Sequence, residues 1–280
     1  MQFAYFEDGP ADGPLALCLH GFPDTANTWR HLLPELGQAG FHAVAPFMRG
    51  YAPTDVPPDG RYQLGALVRD INSLHEAFGG GSDAVIVGHD WGALTTYGVV
   101  AHQPERWRRA VTMAVPPTNA LGQSLVTFDQ LRASWYMFLF LHPIAEVAIA
   151  NNGYEFLDHL WSIWSHNYDY TWDVARLKEA IGDPEHTLAA ISYYRGVWDP
   201  STHVPELAEE QAATLAPTPQ PTLYLHGADD ACVLVSSIGQ PLDFMAEGSE
   251  LGVIPEAGHF LHLEQTQAVN SRILEFLTRQ

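Results

Sequence analysis

Ala84-Val85-Ile86-Val87-Gly88-His89-Asp90-Trp91-Gly92 is the stretch that decides how this chain is read. Its first four residues are a continuous apolar run rich in β-branched side chains, as expected of a strand covered on both faces. A helical pattern follows, to about His102. Glycines at 88 and 92 permit a sharp turn that lifts the side chain between them into a pocket mouth. Strand, tight turn and helix together are the context of a nucleophile elbow, whose usual pattern is Gly-x-Ser-x-Gly. The middle residue here is Asp90, and Gly-x-Ser-x-Gly occurs nowhere in the chain. A hydroxyl needs a base before it can attack, whereas a carboxylate is ionised at neutral pH. A carboxylate attacks carbon that bears a leaving group and forms an alkyl ester. The base then has a different task, activating water against that ester. In isolation, Gly-x-Asp-x-Gly reads as a turn whose Asp caps the next helix. The rest of the chain argues otherwise.

Working outward, short apolar runs alternate with helical patterns. Leu15–Leu19, His42–Phe47, Ala110–Val115, Thr222–Leu225 and Leu251–Ile254 read as further strands. Thr25–Gln38, Tyr62–Phe78 and Gln265–Leu277 carry helical spacing. Such alternation predicts an α/β fold, a mostly parallel central sheet flanked by helices. The rhythm breaks from about Pro116 to Pro221, where the pattern is helical and aromatic. Residues 118–200 hold 15 of the 32 aromatics, so this stretch reads as a helical lid inserted late in the sheet. The expected organisation is a first core segment at 1–117, a lid at 118–214, and a second core segment at 215–280.

Composition narrows the partners. With 33 acidic against 13 basic residues, the formal charge of −20 repels phosphate, so neither nucleic acid nor an anionic membrane is expected. The longest strongly apolar run, Trp135–Leu141, is far short of the roughly 20 residues that span a bilayer. The first residues show no basic region followed by an apolar one, and two cysteines, Cys18 and Cys232, make no disulfide framework. A cytoplasmic home is the expectation. Nothing in the sequence sets the oligomeric state.

Three further segments supply chemistry. His20-Gly21-Phe22-Pro23 follows the first core strand. Leu223-Tyr224-Leu225-His226-Gly227-Ala228-Asp229-Asp230 places two acids in the loop after a late strand, and either is a candidate partner for a base. Gly258-His259-Phe260 follows another strand and precedes the last helix, with His262 as a near rival. A zinc pair from His259 and His262 lacks a His-Glu-x-x-His pattern or a third ligand at a recognisable spacing, so neither metal nor cofactor is expected.

Together these motifs resemble the α/β-hydrolase superfamily over essentially the whole chain. His-Gly-Phe-Pro with Gly-His-Asp-Trp-Gly resembles its epoxide hydrolase branch in particular. Arg49-Gly50-Tyr51-Ala52-Pro53-Thr54-Asp55 is similar to that branch's Arg-Gly-Tyr-Gly-x-Ser-Asp segment, with Ala52, Thr54 and the upstream Phe47 as departures. The resemblance implies a nucleophile–acid–base order of Asp90, Asp230 and His259, the acid lying three residues after Gly227. It implies an oxyanion hole made by the backbone N–H groups of Phe22 and Trp91. It also implies two lid tyrosines that hydrogen-bond an epoxide oxygen. Tyr136 lies seven residues before Pro143, in a stretch that matches the branch only in part, and Tyr194 precedes Arg195. Phenols suit that task, since an opening epoxide makes an alkoxide that needs a proton donor. The expected partners are a small neutral apolar substrate and water.

Rival readings use the same nucleophile. Haloalkane dehalogenases also carry Trp after the Asp, but typically Asn after His-Gly, where this chain has Phe22. Haloacetate dehalogenases bind the substrate carboxylate with arginines at the places held here by Trp91 and Leu94. A non-catalytic binding protein on the same fold would be marked by a degenerate triad.

Overall fold

A computed structural model describes residues 1–279. Seven strands form one sheet: β1 (Tyr5–Asp8), β2 (Leu15–Leu19), β3 (His42–Pro46), β4 (Ala84–His89), β5 (Trp107–Met113), β6 (Thr222–Gly227) and β7 (Glu250–Ile254). Their order is β1-β3-β2-β4-β5-β6-β7. All neighbours pair in parallel except β1, which runs antiparallel to β3 at the edge. Every residue of β2, β4 and β6 is buried, as their unbroken apolar runs require. Each Val, Leu or Ile so buried contributes about 1.5–3 kcal/mol. By contrast β1 is exposed along its length, which is why hydropathy alone misses it. The backbone ladder to β3 holds it, with Tyr5 set edge-on to Phe78 at 4.9 Å.

The core helices are α1 (Leu32–Gln38), α2 (Leu64–Ala77) and α3 (Trp91–His102). Thr25–Gln38 is not the single helical segment its spacing predicts. It divides into a short 3₁₀ turn, Ala26–Arg30, and α1. Pro34 explains the break: it has no N–H to give Arg30 O, and its ring would clash with that carbonyl in a continuous helix.

Between β5 and β6 come α4 (Thr118–Ser124), α5 (Phe128–Ala133), α6 (Trp135–Leu141), α7 (Ala145–Trp164), α8 (Thr171–Ile181), α9 (Pro184–Trp198) and α10 (Ala208–Ala213). Asn151–Tyr154 leave helical geometry and kink α7. Arg195 of α9 donates to Phe140 O of α6 and pairs with Glu146 of α7 at 2.9 Å, tying three helices together. Trp161 of α7 donates through Nε1 to Pro23 O at 2.8 Å, fixing this layer over the loop after β2. The last of the seven, α10, lies on the core helices: Gly65 N–H donates to Gln211 Oε1 at 2.9 Å, and Arg69 pairs with Glu210.

The chain ends in α11 (Leu261–Glu264) and α12 (Thr266–Thr278). His262 stands on α11, a short turn separate from the last helix. No helix among the described residues is long and apolar enough to cross a membrane.

Candidate active site

Asp90 sits between β4 and α3 with φ 54° and ψ −114°, outside the comfortable regions for a non-glycine residue. The turn is as tight as its small residues allow. A Cβ on Gly92 would lie 2.1 Å from Leu19 O. Asp90 occupies the cap position of α3, yet its side chain makes no capping hydrogen bond. Instead its Oδ1 accepts the Phe22 N–H at 2.7 Å. The loop after β2 comes this close because residue 21 is glycine: a Cβ there would lie 2.3 Å from Asp90 Oδ1 and 2.6 Å from Trp91 N. Gly21 thus lets the Phe22 N–H reach the carboxylate and brings the loop against the Trp91 nitrogen.

His259 is fully buried and reaches both acids. Its Nδ1 is 3.0 Å from Asp230 Oδ2, and its Nε2 is 3.7 Å from Asp90 Oδ2. The carbonyl of Trp164 anchors it through the His259 N–H at 2.8 Å. Asp230 is held in turn by the N–H groups of Cys232 and Val233, which donate to Oδ1 at 2.8 and 3.1 Å. Of the two acids after β6, Asp229 points outward to a half-exposed pair with His166 at 3.1 Å. Asp230 alone faces the imidazole. His262 turns away: its Nε2 bonds Thr28 Oγ1 and its ring stacks on Trp29.

Electrostatics follows from burial and charge. Burial works to raise the Asp230 pKa, but the charge and hydrogen bond of His259 bring it below the usual carboxylate value. Burial lowers the His259 pKa, while the charge and hydrogen bond of Asp230 at 3.0 Å, with the Asp90 carboxylate 3.7 Å from Nε2, carry it well above the usual imidazole value. Burial also raises the pKa of Cys232, so that thiol is neutral at pH 7 and the lift on His259 comes from the carboxylates.

Tyr136 and Tyr194, from the helices between β5 and β6, pack beside this arrangement. Tyr136 stands on α6 and Tyr194 on α9, both essentially without solvent exposure, with ring centroids 5.7 Å apart. Tyr194 meets Trp91 edge-on at 4.8 Å and Phe22 at 5.6 Å, directly beside the elbow. Tyr136 packs against Trp164 at 4.8 Å. Burial raises both phenol pKa values well above 10, helped by the charge of Asp90, so both remain proton donors. The site is enclosed. An open cleft lined by Met1, Pro53, Asp55, Glu185 and His186 contains none of these residues.

Three contributors escape sequence reasoning. Cys232 Sγ lies 3.3 Å from Tyr136 OH. Trp164 sets its ring edge-on to His259 at 5.3 Å. Glu264 accepts the N–H groups of Gly258, Phe260 and His166 at 2.7–3.0 Å, and so braces both sides of His259. A glutamate following the base motif was the only signal on offer, and for Cys232 there was none. Arg49, in the segment after β3, pairs with Asp70 at 2.6 Å and donates to Ala66 O, so it shapes the loop and not the chemistry.

The sequence profile of the family described as alpha/beta hydrolase fold matches residues 14–266. The chain is 28% identical to AB hydrolase superfamily protein YfhM of Bacillus subtilis, over 97% of this chain and 93% of that one. It is 27% identical to human Epoxide hydrolase 4, over 100% of this chain and 76% of that one. Its structure is similar to Bacillus megaterium epoxide hydrolase, crystallised with an inhibitor, at a TM-score of 0.82 and 25% identity, covering 99% of this chain and 97% of that one.

Proposed function

Since the chain belongs to the α/β hydrolase fold family, we propose that this enzyme is of its epoxide hydrolase branch and opens epoxides to diols through a covalent ester on Asp90. The observation that carries the reading is the division of labour at Asp90. Oδ1 is held by the Phe22 N–H at 2.7 Å, while Oδ2 is left facing His259, with two buried phenols beside the elbow.

Tyr136 and Tyr194 hold the epoxide oxygen. Asp90 Oδ2 attacks a ring carbon, the C–O bond breaks, and one phenol gives its proton to the alkoxide. The hydroxyalkyl ester has no charge, so His259 loses the carboxylate charge 3.7 Å from its Nε2, its pKa falls, and the ring releases its proton to solvent and stands neutral as the base. It takes a proton from water as hydroxide adds to the ester carbon. The oxyanion forms at Oδ1, where the N–H groups of Phe22 and Trp91 receive it. Collapse expels the diol, which takes the proton from His259. The proton left on the new carboxyl returns to the phenolate. Asp230 keeps the imidazole oriented throughout. Within the expected lid, residues 118–214, the helices α6–α9 exclude bulk water, while α10 packs on the core.

Trp91 favours a second reading. Its Nε1–H is buried without a hydrogen-bond partner, as a halide donor would be. Haloalkane hydrolysis by the same nucleophile is that alternative, and it leaves the two phenols idle.

A substrate panel separates them: styrene oxide-like epoxides run beside short haloalkanes, with diol and halide measured independently. Diol formation is expected. Halide release with no diol from any epoxide would overturn the proposal. Asp90→Ala should abolish turnover, and His259→Gln should accumulate enzyme heavier by the mass of one substrate in intact-mass spectra. An unmodified His259→Gln enzyme after incubation with a turned-over epoxide would sink the covalent scheme.

A further inference from the structure

Beneath the nucleophile lies a second cluster that the mechanism does not use. Asp24, His89 and His262 are buried, and a carboxylate oxygen and one ring nitrogen from each histidine lie within 4.8 Å of one another. Asp24 Oδ2, His89 Nδ1 and His262 Nδ1 have no hydrogen-bond partner. The tautomer of His89 is fixed. Its Nε2 lies 2.9 Å from the His259 carbonyl, which can only accept, so Nε2 carries the proton and Nδ1 presents a bare lone pair. His262 uses Nε2 on Thr28. No cation answers Asp24, because Arg30 is engaged by Asp173 at 2.7 Å. Three buried polar atoms that face one another with no partner are costly to leave so.

We infer that Asp24, His89 and His262 form a structural binding site for a divalent transition metal, with Zn²⁺ the fitting ion. Two imidazoles and a carboxylate are a donor set that suits zinc. Zinc ligands at about 2.1 Å stand roughly 3.4 Å apart in a tetrahedron, so shifts of about an ångström close the cluster on an ion. Burial, followed by the charge of Asp173, raises the Asp24 pKa to about 8, and a bound cation would hold the carboxylate ionised.

The placement gives the site its meaning. Asp24 is two residues after Phe22, His89 is one before Asp90, and His262 is three after His259. One ion would pin the oxyanion loop, the elbow and the base loop together from below. It would take no part in the chemistry, since the proposed substrate meets the other side of Asp90.

The test reads metal, not turnover, so it stands apart from the reaction assigned above. The full-length protein, purified without chelator or metal-affinity resin, should contain about one equivalent of zinc by plasma mass spectrometry. Chelator should lower its melting temperature, and added Zn²⁺ should restore it. Co²⁺ added to the stripped protein should give the visible bands of a tetrahedral N/O site. His262→Gln and Asp24→Asn should each lower the metal content by about tenfold or more. Cys232→Ser should keep it, because the other candidate group of ligands, Asp230, Cys232 and His259, is not the site proposed. Metal content below about a tenth of an equivalent, with no thermal or spectral response of the wild-type protein to added Zn²⁺ or Co²⁺, would overturn the proposal. So would loss of metal in Cys232→Ser but not in His262→Gln. The wild-type arm decides the matter even if a variant fails to fold.

Discussion

Asp90 and His20 show how single residues here are set by what they touch. Asp90 keeps a strained backbone because the turn is clamped on both sides: β4 before it, α3 after it, and the Phe22 N–H in front. His20 is the quieter neighbour. Its Nε2 accepts the Met48 N–H at 2.9 Å, which leaves Nδ1–H to donate to Gly21 O at 3.0 Å. Both nitrogens are used by the neutral ring, and protonation would force a proton against Met48 N–H. Burial accordingly lowers the His20 pKa from 6.5 to about 4. Between those two values the unfolded chain binds a proton that the folded chain does not, so stability falls as pH drops. This one residue should contribute a slope of about 1.4 kcal/mol per pH unit over that window. Urea denaturation at pH 7, 6 and 5 checks it. His20→Gln should remove that share of the slope, and an unchanged pH dependence would mean the imidazole is protonated in the folded protein.

At the scale of elements, the loops at the ends of β2, β4, β6 and β7 carry the site, and their bracing comes from neighbours the sequence does not advertise. Glu264 on α11 is the clearest case. Burial raises its pKa, while the N–H groups of Gly258, His166 and Phe260 pull it back. Glu264→Ala would leave three backbone donors unanswered around His259. Its expected effect is a fall in kcat of roughly tenfold with little change in KM, since a displaced base misses the water and not the substrate. Glu264→Gln should recover part of the rate. An equal rise in KM, or a full loss in both variants that tracks lost stability, would make Glu264 a packing residue instead. The elbow itself was legible in the sequence, because a buried strand, paired glycines and a helix are local patterns. The edge strand β1 was not, because its side chains stay exposed and only its backbone pairs.

At the scale of the molecule, the net charge of −20 surrounds an enclosed site lined by aromatic rings. A neutral epoxide feels little of that field, so its kcat/KM should change by less than about twofold between low and high salt. An epoxide bearing a carboxylate should be turned over poorly at low salt and improve as salt screens the repulsion. Rates measured across a sodium chloride series test this. A neutral substrate as salt-sensitive as the anionic one would show that the field acts on the protein and not on the substrate's approach.

The sequence by itself determined the parallel sheet, the helical insertion and the elbow with a carboxylate in it. Hydrophobic period and glycine spacing are properties of short segments, and short segments are what a sequence displays. With the resemblance it also supplied the order Asp90, Asp230, His259 and the tyrosines 136 and 194. The residues by themselves left Asp229 and Asp230 open and only the resemblance preferred the second; in the structure Asp230 meets the imidazole and Asp229 points outward, because two adjacent loop residues face different directions. Tertiary structure alone set Cys232 against Tyr136, 96 residues away. It alone gathered Asp24 from the loop after β2, His89 from the end of β4 and His262 from α11. No spacing rule links those positions. Asp24, His89 and His262 can converge because the strands they follow or end, β2, β4 and β7, run parallel and all end at the same side of one sheet.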